Sequence, residues 1–283
     1  MQNKPQVAIM MPVYNGEKTL PLAVSSLLHQ TYTNWKCYIV NDGSTDGTKA
    51  YLDSLKDERF VIIHFEKNKG RPHARQAALD IAEGHYLAFL DADDFYHPEK
   101  LEKQVEALNR NKEIYLVGCG MGSFDKKLIL RIVRSKHFTI YEKFKRGKEL
   151  FKLSRAGSMV YLLEAKKIGY NLKLKYAQDT DFFLRYLDGK SYMNLDSLLY
   201  YYSEFESVTF KKLIKTYYYN IIQLTTNYSG FTRIKYVVLE ITKVIYTLIL
   251  SMFFGMEKVL LRRGKKGSIE HIEEFNEILK IYN

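Results

Sequence analysis

Two aspartates one residue apart close an apolar run, Tyr86-Leu87-Ala88-Phe89-Leu90-Asp91-Ala92-Asp93-Asp94. A buried strand that ends this way can set both carboxylates outside its carboxyl edge, where open α/β sheets bind ligands and where hard oxygen donors can hold a divalent cation. That is the chemistry a diphosphate leaving group requires. The same acids also suit the approach to a helix beginning near His97-Pro98, and the run alone does not separate the two readings. Three segments precede it: an apolar run ending Met11-Pro12-Val13-Tyr14-Asn15-Gly16, a second ending Val40-Asn41-Asp42-Gly43-Ser44-Thr45-Asp46-Gly47, and Asn68-Lys69-Gly70-Arg71-Pro72-His73-Ala74-Arg75. Tyr14, just past its run, can stack on a nucleobase. Asp42 can accept a hydrogen bond from a uracil imide, or it can serve an Asp-Gly turn.

In this order and spacing the four segments resemble the donor-binding half of a family 2 glycosyltransferase with the GT-A fold, closely over residues 6 to 110 and loosely over 155 to 190. The resemblance implies that Pro12, Tyr14, Asn15 and Asp42 contact the nucleoside. It implies that Asn68 lies in the next loop and that Arg75 reaches a phosphate or the base carbonyl, with Arg71 and His73 decorating a helix start. It implies that Asp91, Ala92 and Asp93 form an aspartate-x-aspartate motif, with Asp93 and Asp91 on Mn²⁺ or Mg²⁺. Carboxylate ligands suit both ions.

Where the family has Glu-Asp before an aromatic-rich helix, this chain reads Gln178-Asp179-Thr180-Asp181-Phe182-Phe183-Leu184-Arg185. The resemblance makes Asp179 the catalytic base, with Asp181 as competitor and an N-cap as the plain alternative for Asp179. A larger departure follows. The family often carries an arginine and a histidine shortly before Ser-Val-Thr, closing over the diphosphate or metal. Here Tyr202 and Glu204 stand before Ser207-Val208-Thr209. A replacement cation comes from Arg155 or the basic tract, or the chain is weakly active.

These groups need a scaffold, and the first 120 residues alternate short apolar runs with helical periodicity, as in a mostly parallel sheet flanked by helices. Strands are expected at 7–11, 35–40, 60–65 and 86–90, and helices at 20–28, 48–55, 72–82 and 98–109. Gly118-Cys119-Gly120-Met121-Gly122 is expected as a tight strand exit, because its spacing does not suit a dinucleotide loop. The tract from 122 to 153 is expected to be a long acceptor-side excursion with some helix. A strand at 159–163 and a helix from Asp179 follow. The expected division is a catalytic domain over 1–210, with halves at 1–120 and 121–210, and a helical extension over 211–283.

The chain has 283 residues, 46% hydrophobic and 27% charged, which excludes a disordered chain, and a net charge of +11. That excess points to anionic partners such as nucleotides or lipid surfaces. Much of it lies between 125 and 155, where eleven Lys or Arg face three acids. No recognised nucleic-acid module accompanies the tract, so nucleic acid is not expected. Cys37 and Cys119 sit in apolar runs without metal or redox spacing and read as free buried thiols, which with the polar N-terminus suggests the cytoplasm.

Val244 to Met256 is thirteen residues without a charge, too short to span a bilayer. Glu240, Lys243, Thr247 and Ser251 form one narrow polar stripe beside a broad apolar face from Tyr236 to Met256, and Lys258, Arg262, Arg263, Lys265 and Lys266 follow. The segment either lies on an anionic membrane surface or packs on protein, including another subunit.

The expectation is therefore an inverting, metal-assisted hexosyl- or N-acetylhexosaminyltransferase. It uses a UDP-sugar donor and a cell-surface glycan or lipid-linked acceptor, peripheral on the inner face of the cell membrane. The rivals are a degenerate nucleotide-sugar-binding module and a nucleotidyltransferase. The latter should carry a Gly-rich loop with Arg and Lys, which Met11 to Lys18 lacks.

Overall fold

A computed structural model describes residues 5–134, 139–141, 143–145, 155–174 and 176–282. The first half alternates β1 (Val7–Val13), α1 (Leu20–Leu28), β2 (Trp35–Asn41), α2 (Thr48–Ser54), β3 (Phe60–His64), α3 (Arg71–Ile81) and β4 (Tyr86–Phe89). β1 is almost wholly buried because both its edges and both its faces are covered, which is why its sequence is a continuous apolar run. β2, β1 and β4 pair in parallel, with Val13 beside Asn41 and Met10 beside Phe89. Their carboxyl ends therefore open on one edge of the sheet, and the chemistry-bearing loops follow those ends.

The second half adds β5 (Phe95–Tyr96), α4 (Lys100–Arg110), β6 (Ile114–Phe124), β7 (Leu130–Arg134), β8 (Thr139–Tyr141), β9 (Met159–Tyr161), α5 (Leu162–Ile168), α6 (Gln178–Leu187) and β10 (Ser191–Ser203). Among the described residues the sheet runs β3-β2-β1-β4-β9-β6-β10-β5, with β7 on β6 and β8 on β10. One core layer packs Leu20, Leu27, Trp35, Leu101 and Tyr200 on one face. The other packs Ala74, Ala78, Phe182, Phe183 and Tyr186 on the opposite face.

Helices α7 (Glu204–Ser207), α8 (Phe210–Asn227), α9 (Gly230–Leu261) and α10 (Ile269–Tyr282) complete the chain. α8 and α9 pack on each other, while α10 returns to α1 and the sheet. There Phe275, Ile278, Leu279 and Tyr282 share a core with Phe95, Phe124 and Tyr201.

Several expectations are corrected here. Gly118 to Gly122 is no strand exit, because β6 runs through it to Phe124. Gly122 is needed for packing: a Cβ there would lie 2.9 Å from the Tyr201 ring. Where the tract from 122 to 153 is described it forms strands β7 and β8 rather than helix, and 135–138, 142 and 146–154 lie outside the described residues. The strand expected at 159–163 ends at Tyr161 and turns directly into α5. The helix expected from His97-Pro98 starts at Lys100, after β5. The uncharged run Val244 to Met256 belongs to α9, 32 residues broken at Gly255, which by length and composition is long and apolar enough to cross a membrane. The expectation that no segment reaches spanning length is thereby overturned. Cys37 and Cys119 are free and buried.

Candidate active site

The loops after β1 and β2 are tied together before any ligand is considered. Asn15 takes a left-handed backbone, φ 53°, which a short polar side chain tolerates. Its Oδ1 accepts from the Thr45 N–H at 2.8 Å, and its own N–H donates to Ser44 Oγ at 2.9 Å. The buried Asp42 carboxylate accepts from the N–H groups of Lys69 and Gly70 at 2.7 and 2.9 Å. Gly43, at φ +66°, lets the third loop come close, since a Cβ there would stand 2.4 Å from the Lys67 carbonyl carbon. Pro12, Tyr14, Asn15, Asp42, Asn68, Ala92, Asp91 and Asp93 thus line one cleft of about 570 Å³. Tyr14 is 50% exposed. Asp42 acts first as an anchor for the third loop; carboxylate oxygens carry two lone pairs each, so an acceptor position remains.

The loop after β4 carries three carboxyl groups whose oxygens lie within 4.8 Å of one another. They are not equivalent. Asp94 is buried and accepts from the Tyr200 hydroxyl at 2.6 Å and the Ser203 N–H at 2.8 Å. Burial, with Asp93 and Asp91 beside it, pushes its carboxyl well above the usual range, so it serves the structure of the loop. Asp93 is pushed up to about 6 by burial and by the Asp91 charge. Burial alone would raise Asp91 too, but Arg75 and Arg71 more than offset it and hold Asp91 below its ordinary value. Asp91 and Asp93 thus present hard oxygen donors and mutual repulsion, a donor set that fits Mg²⁺ or Mn²⁺.

Arg75 occupies a different place from the one expected. Its buried guanidinium donates to Asp91 Oδ1 at 3.0 Å and to Asp179 Oδ1, and lies 6.0 Å from the Tyr170 ring centroid. Burial disfavours its charge, yet Asp179 and Asp91 hold its pKa above the ordinary value. Arg75 is therefore a clamp joining two carboxylates. Arg71, read from sequence as decoration, lines the cleft in its stead. Asp179 is the second residue of α6, whose N-cap position belongs to Ala177 in a left-handed conformation, so the N-cap alternative fails. Asp181 is turned away, paired with Arg185 at 2.6 Å.

An adjoining cleft of about 960 Å³ shares Asn68, Arg71, Asp91, Asp93 and Lys212 and adds Tyr202, Leu213 and Arg263. Lys212 and Arg263 come from the segment read as an extension, and no motif marks them. Tyr200 was also missed: its hydroxyl accepts from the Asp91 N–H at 3.3 Å while donating to Asp94. Arg155, a candidate cation by sequence, instead donates to Thr180 on α6.

Comparison with known proteins bears on this arrangement. Over 112 residues the chain is 38% identical to the UDP-Glc:alpha-D-GlcNAc-diphosphoundecaprenol beta-1,3-glucosyltransferase WfgD of Escherichia coli, covering 40% of this chain and 44% of that protein. Over 105 residues it is 43% identical to the putative teichuronic acid biosynthesis glycosyltransferase TuaG of Bacillus subtilis, covering 36% of this chain and 42% of that protein. The chain thus matches less than half the length of either relative. The crystal structure of S. aureus TarS superposes with a TM-score of 0.61 over 98% of this chain and 80% of that one, at 18% identity. The mannosyltransferase PcManGT from Pyrobaculum calidifontis, in complex with GDP-Man and Mn²⁺, gives 0.59 over 86% and 70%, at 14% identity. These likenesses establish a mixed α/β fold of GT-A type. The family model described as Glycosyl transferase family 2 matches residues 8–161, more than half of the chain, and the chain belongs to that family.

Proposed function

We propose that the chain transfers one hexosyl or N-acetylhexosaminyl residue, with inversion, from a UDP-sugar to a cell-surface glycan or its lipid-linked precursor. The observation that carries this reading is the Arg75 clamp: it fixes Asp179 and Asp91 to one guanidinium, so a carboxylate able to accept a proton is held in register with the acidic pair. Tyr14 and Asp42 supply a ring face and an acceptor for the uracil, with Pro12, Asn15, Asn68 and Ala92 completing the cleft. Asp179 accepts the proton of the acceptor hydroxyl as its oxygen attacks C1. The C1–O bond to the diphosphate breaks, and UDP departs with that electron pair. A single displacement of this kind inverts the anomeric centre. Asp93 with Asp91 would hold Mn²⁺ or Mg²⁺, which supplies charge neutralisation at the leaving diphosphate. WfgD, named for UDP-Glc and a diphosphoundecaprenol-linked acceptor, supports this donor and acceptor class.

A lipid-linked acceptor calls for a membrane surface, and α9 suits one. Phe231, Ile234, Val238, Ile241, Ile245, Ile249, Met252 and Phe253 are exposed, Met252 by 80% and Phe253 by 76%. The polar side of the helix is turned inward: Glu240 accepts from Asn220 and Lys243, and Thr247 meets the Tyr217 hydroxyl at 3.3 Å. Gly255, at φ 75°, interrupts the helix; the chain enters α8 from β10 through α7, and after α9 it is bridged to β7 at Lys265 and Val133. That arrangement favours α9 lying in the interface on the cytoplasmic side, with Lys258, Arg262, Lys265 and Lys266 on anionic head groups.

The donor is tested by a screen of nucleotide sugars for thermal stabilisation with Mn²⁺, since a ligand of the native state raises its stability by mass action. UDP-sugars should raise the melting midpoint above GDP- and CMP-sugars. Stabilisation by a GDP-sugar alone overturns the donor assignment, and stabilisation by none overturns the site.

A further inference from the structure

We propose that Arg263, carried to the cleft by the C-terminal segment and positioned by Glu204, faces the diphosphate of the donor. The proposal rests on the reading of the cleft as a nucleotide-sugar site. The family pattern expects cations just before Ser207-Val208-Thr209, and this chain has Tyr202 and Glu204 there. Glu204 does not leave a gap. It is fully buried and accepts from Ser123 Oγ at 2.8 Å, from Arg134 and from Arg263. One carboxylate between two guanidinium groups leaves an excess positive charge at the cleft wall. Burial first, and then the Arg263 charge, draw the Arg134 guanidinium down to about 10.

The backbone that delivers Arg263 is fixed with equal care. Lys265 and Val133 exchange both backbone hydrogen bonds, at 2.7 and 3.0 Å, and Arg134 Nε donates to the Arg263 carbonyl at 3.1 Å. Gly264 allows this approach, because a Cβ there would lie 2.7 Å from the Val133 carbonyl oxygen. The segment after α9 is thus stitched to β7, and the Arg263 side chain, 40% exposed, lines the same cleft as Asp91, Asp93 and Lys212. A guanidinium has five N–H donors in a planar fork, so it can hold Glu204 and still bond a phosphate oxygen. The cleft then has an acidic wall suited to a cation and a basic wall suited to phosphate. What the family motif places in one loop, this chain supplies from 59 residues further on.

The test is calorimetric titration of the full chain with UDP and with uridine, in Mn²⁺. A charge-assisted bond to phosphate is worth about 1.5–3 kcal/mol, so Arg263→Ala should weaken UDP binding about 10- to 100-fold while uridine binding is unchanged. Glu204→Gln should weaken UDP less and leave uridine unaffected, as befits a positioning residue. Lys280→Ala, on the far helix, should match the wild type. If Arg263→Ala unfolds, Arg263→Gln decides: it removes the charge but keeps a long polar side chain, and UDP affinity equal to the wild type overturns the proposal. UDP affinity equal to the wild type in a folded Arg263→Ala overturns it as well. If the wild type binds GDP and not UDP, the donor reading fails by itself, and the same series with GDP and guanosine judges Arg263. If it binds no nucleoside diphosphate, both fall.

Discussion

Arg75 decides how the site works at the scale of single residues. From sequence it pointed to a ligand contact, because its place in the Asn68 to Arg75 segment says nothing of what faces it. Its partner Asp179 lies 104 positions away, and only tertiary packing brings the two together. Arg75→Ala leaves Asp91 and Asp179 without their shared cation. Removing one partner of a largely buried pair costs roughly 3 kcal/mol or more, so the denaturant midpoint should fall accordingly and the fold should be weakened even without donor. A midpoint within error of the wild type would mean that the clamp contributes nothing. Asp93→Asn acts differently. It should leave stability nearly unchanged but abolish any advantage Mn²⁺ gives to UDP binding, since a neutral amide is a poorer ligand for a hard cation. Equal UDP affinity with and without Mn²⁺ in the wild type contradicts a metal at this position.

At the scale of elements, the parallel half was legible because each strand and helix announces itself by period and by its closing turn. The run β1 to α4 follows the apolar pattern to within a few residues. The second half was less so. β10 packs thirteen residues against three partner strands with register shifts, and its Tyr-rich sequence has no clean alternation. The glycines of β6 looked like an exit because what they admit belongs to β10, far along the chain: the Ser197–Leu198 backbone at Gly120 and the Tyr201 ring at Gly122. α4 makes a testable case of burial. Lys100 is fully buried, bonded to Gln104 Oε1 at 2.7 Å, with its ammonium 4.0 Å from the Tyr96 ring centroid. Burial draws its pKa down to about 8. Above that value the folded chain has released a proton that the unfolded chain keeps to about pH 10.4, so this group's contribution to stability rises with pH across the window. Relative to Lys100→Met, the wild type should gain roughly 2 kcal/mol between about pH 7 and about pH 10. Parallel pH profiles of the two denaturant midpoints would show that Lys100 is not responsible.

The whole molecule is more interwoven than a catalytic domain with an extension. α10 fills the core around Phe95, and Arg263 and Lys212 line the cleft, so residues 211–283 cannot be removed without opening both. The apolar face and basic cluster of α9 were legible in the residue pattern but this return was not, because nothing in the helix period of α10 names the sheet it covers. Membrane attachment is accordingly tested by substitution. The triple variant Met252→Ser, Phe253→Ser, Phe254→Ser should lose anionic-liposome binding by about 100-fold or more, since each buried side chain is worth about 1.5–3 kcal/mol. The wild type should sediment with the vesicles at low salt and less at high salt. Failure of the wild type to sediment assigns the face to protein packing. The central claim, that this cleft transfers a sugar with Asp179 as base, is met most directly by measuring UDP release from the donor in the presence of acceptor. It should be measured for the wild type, Asp179→Asn and Asp181→Asn, with UDP affinity measured alongside. Asp179→Asn should keep UDP affinity within a few-fold and lose turnover by roughly 10²-fold or more, while Asp181→Asn remains active. Full turnover in Asp179→Asn with loss in Asp181→Asn would contradict the account.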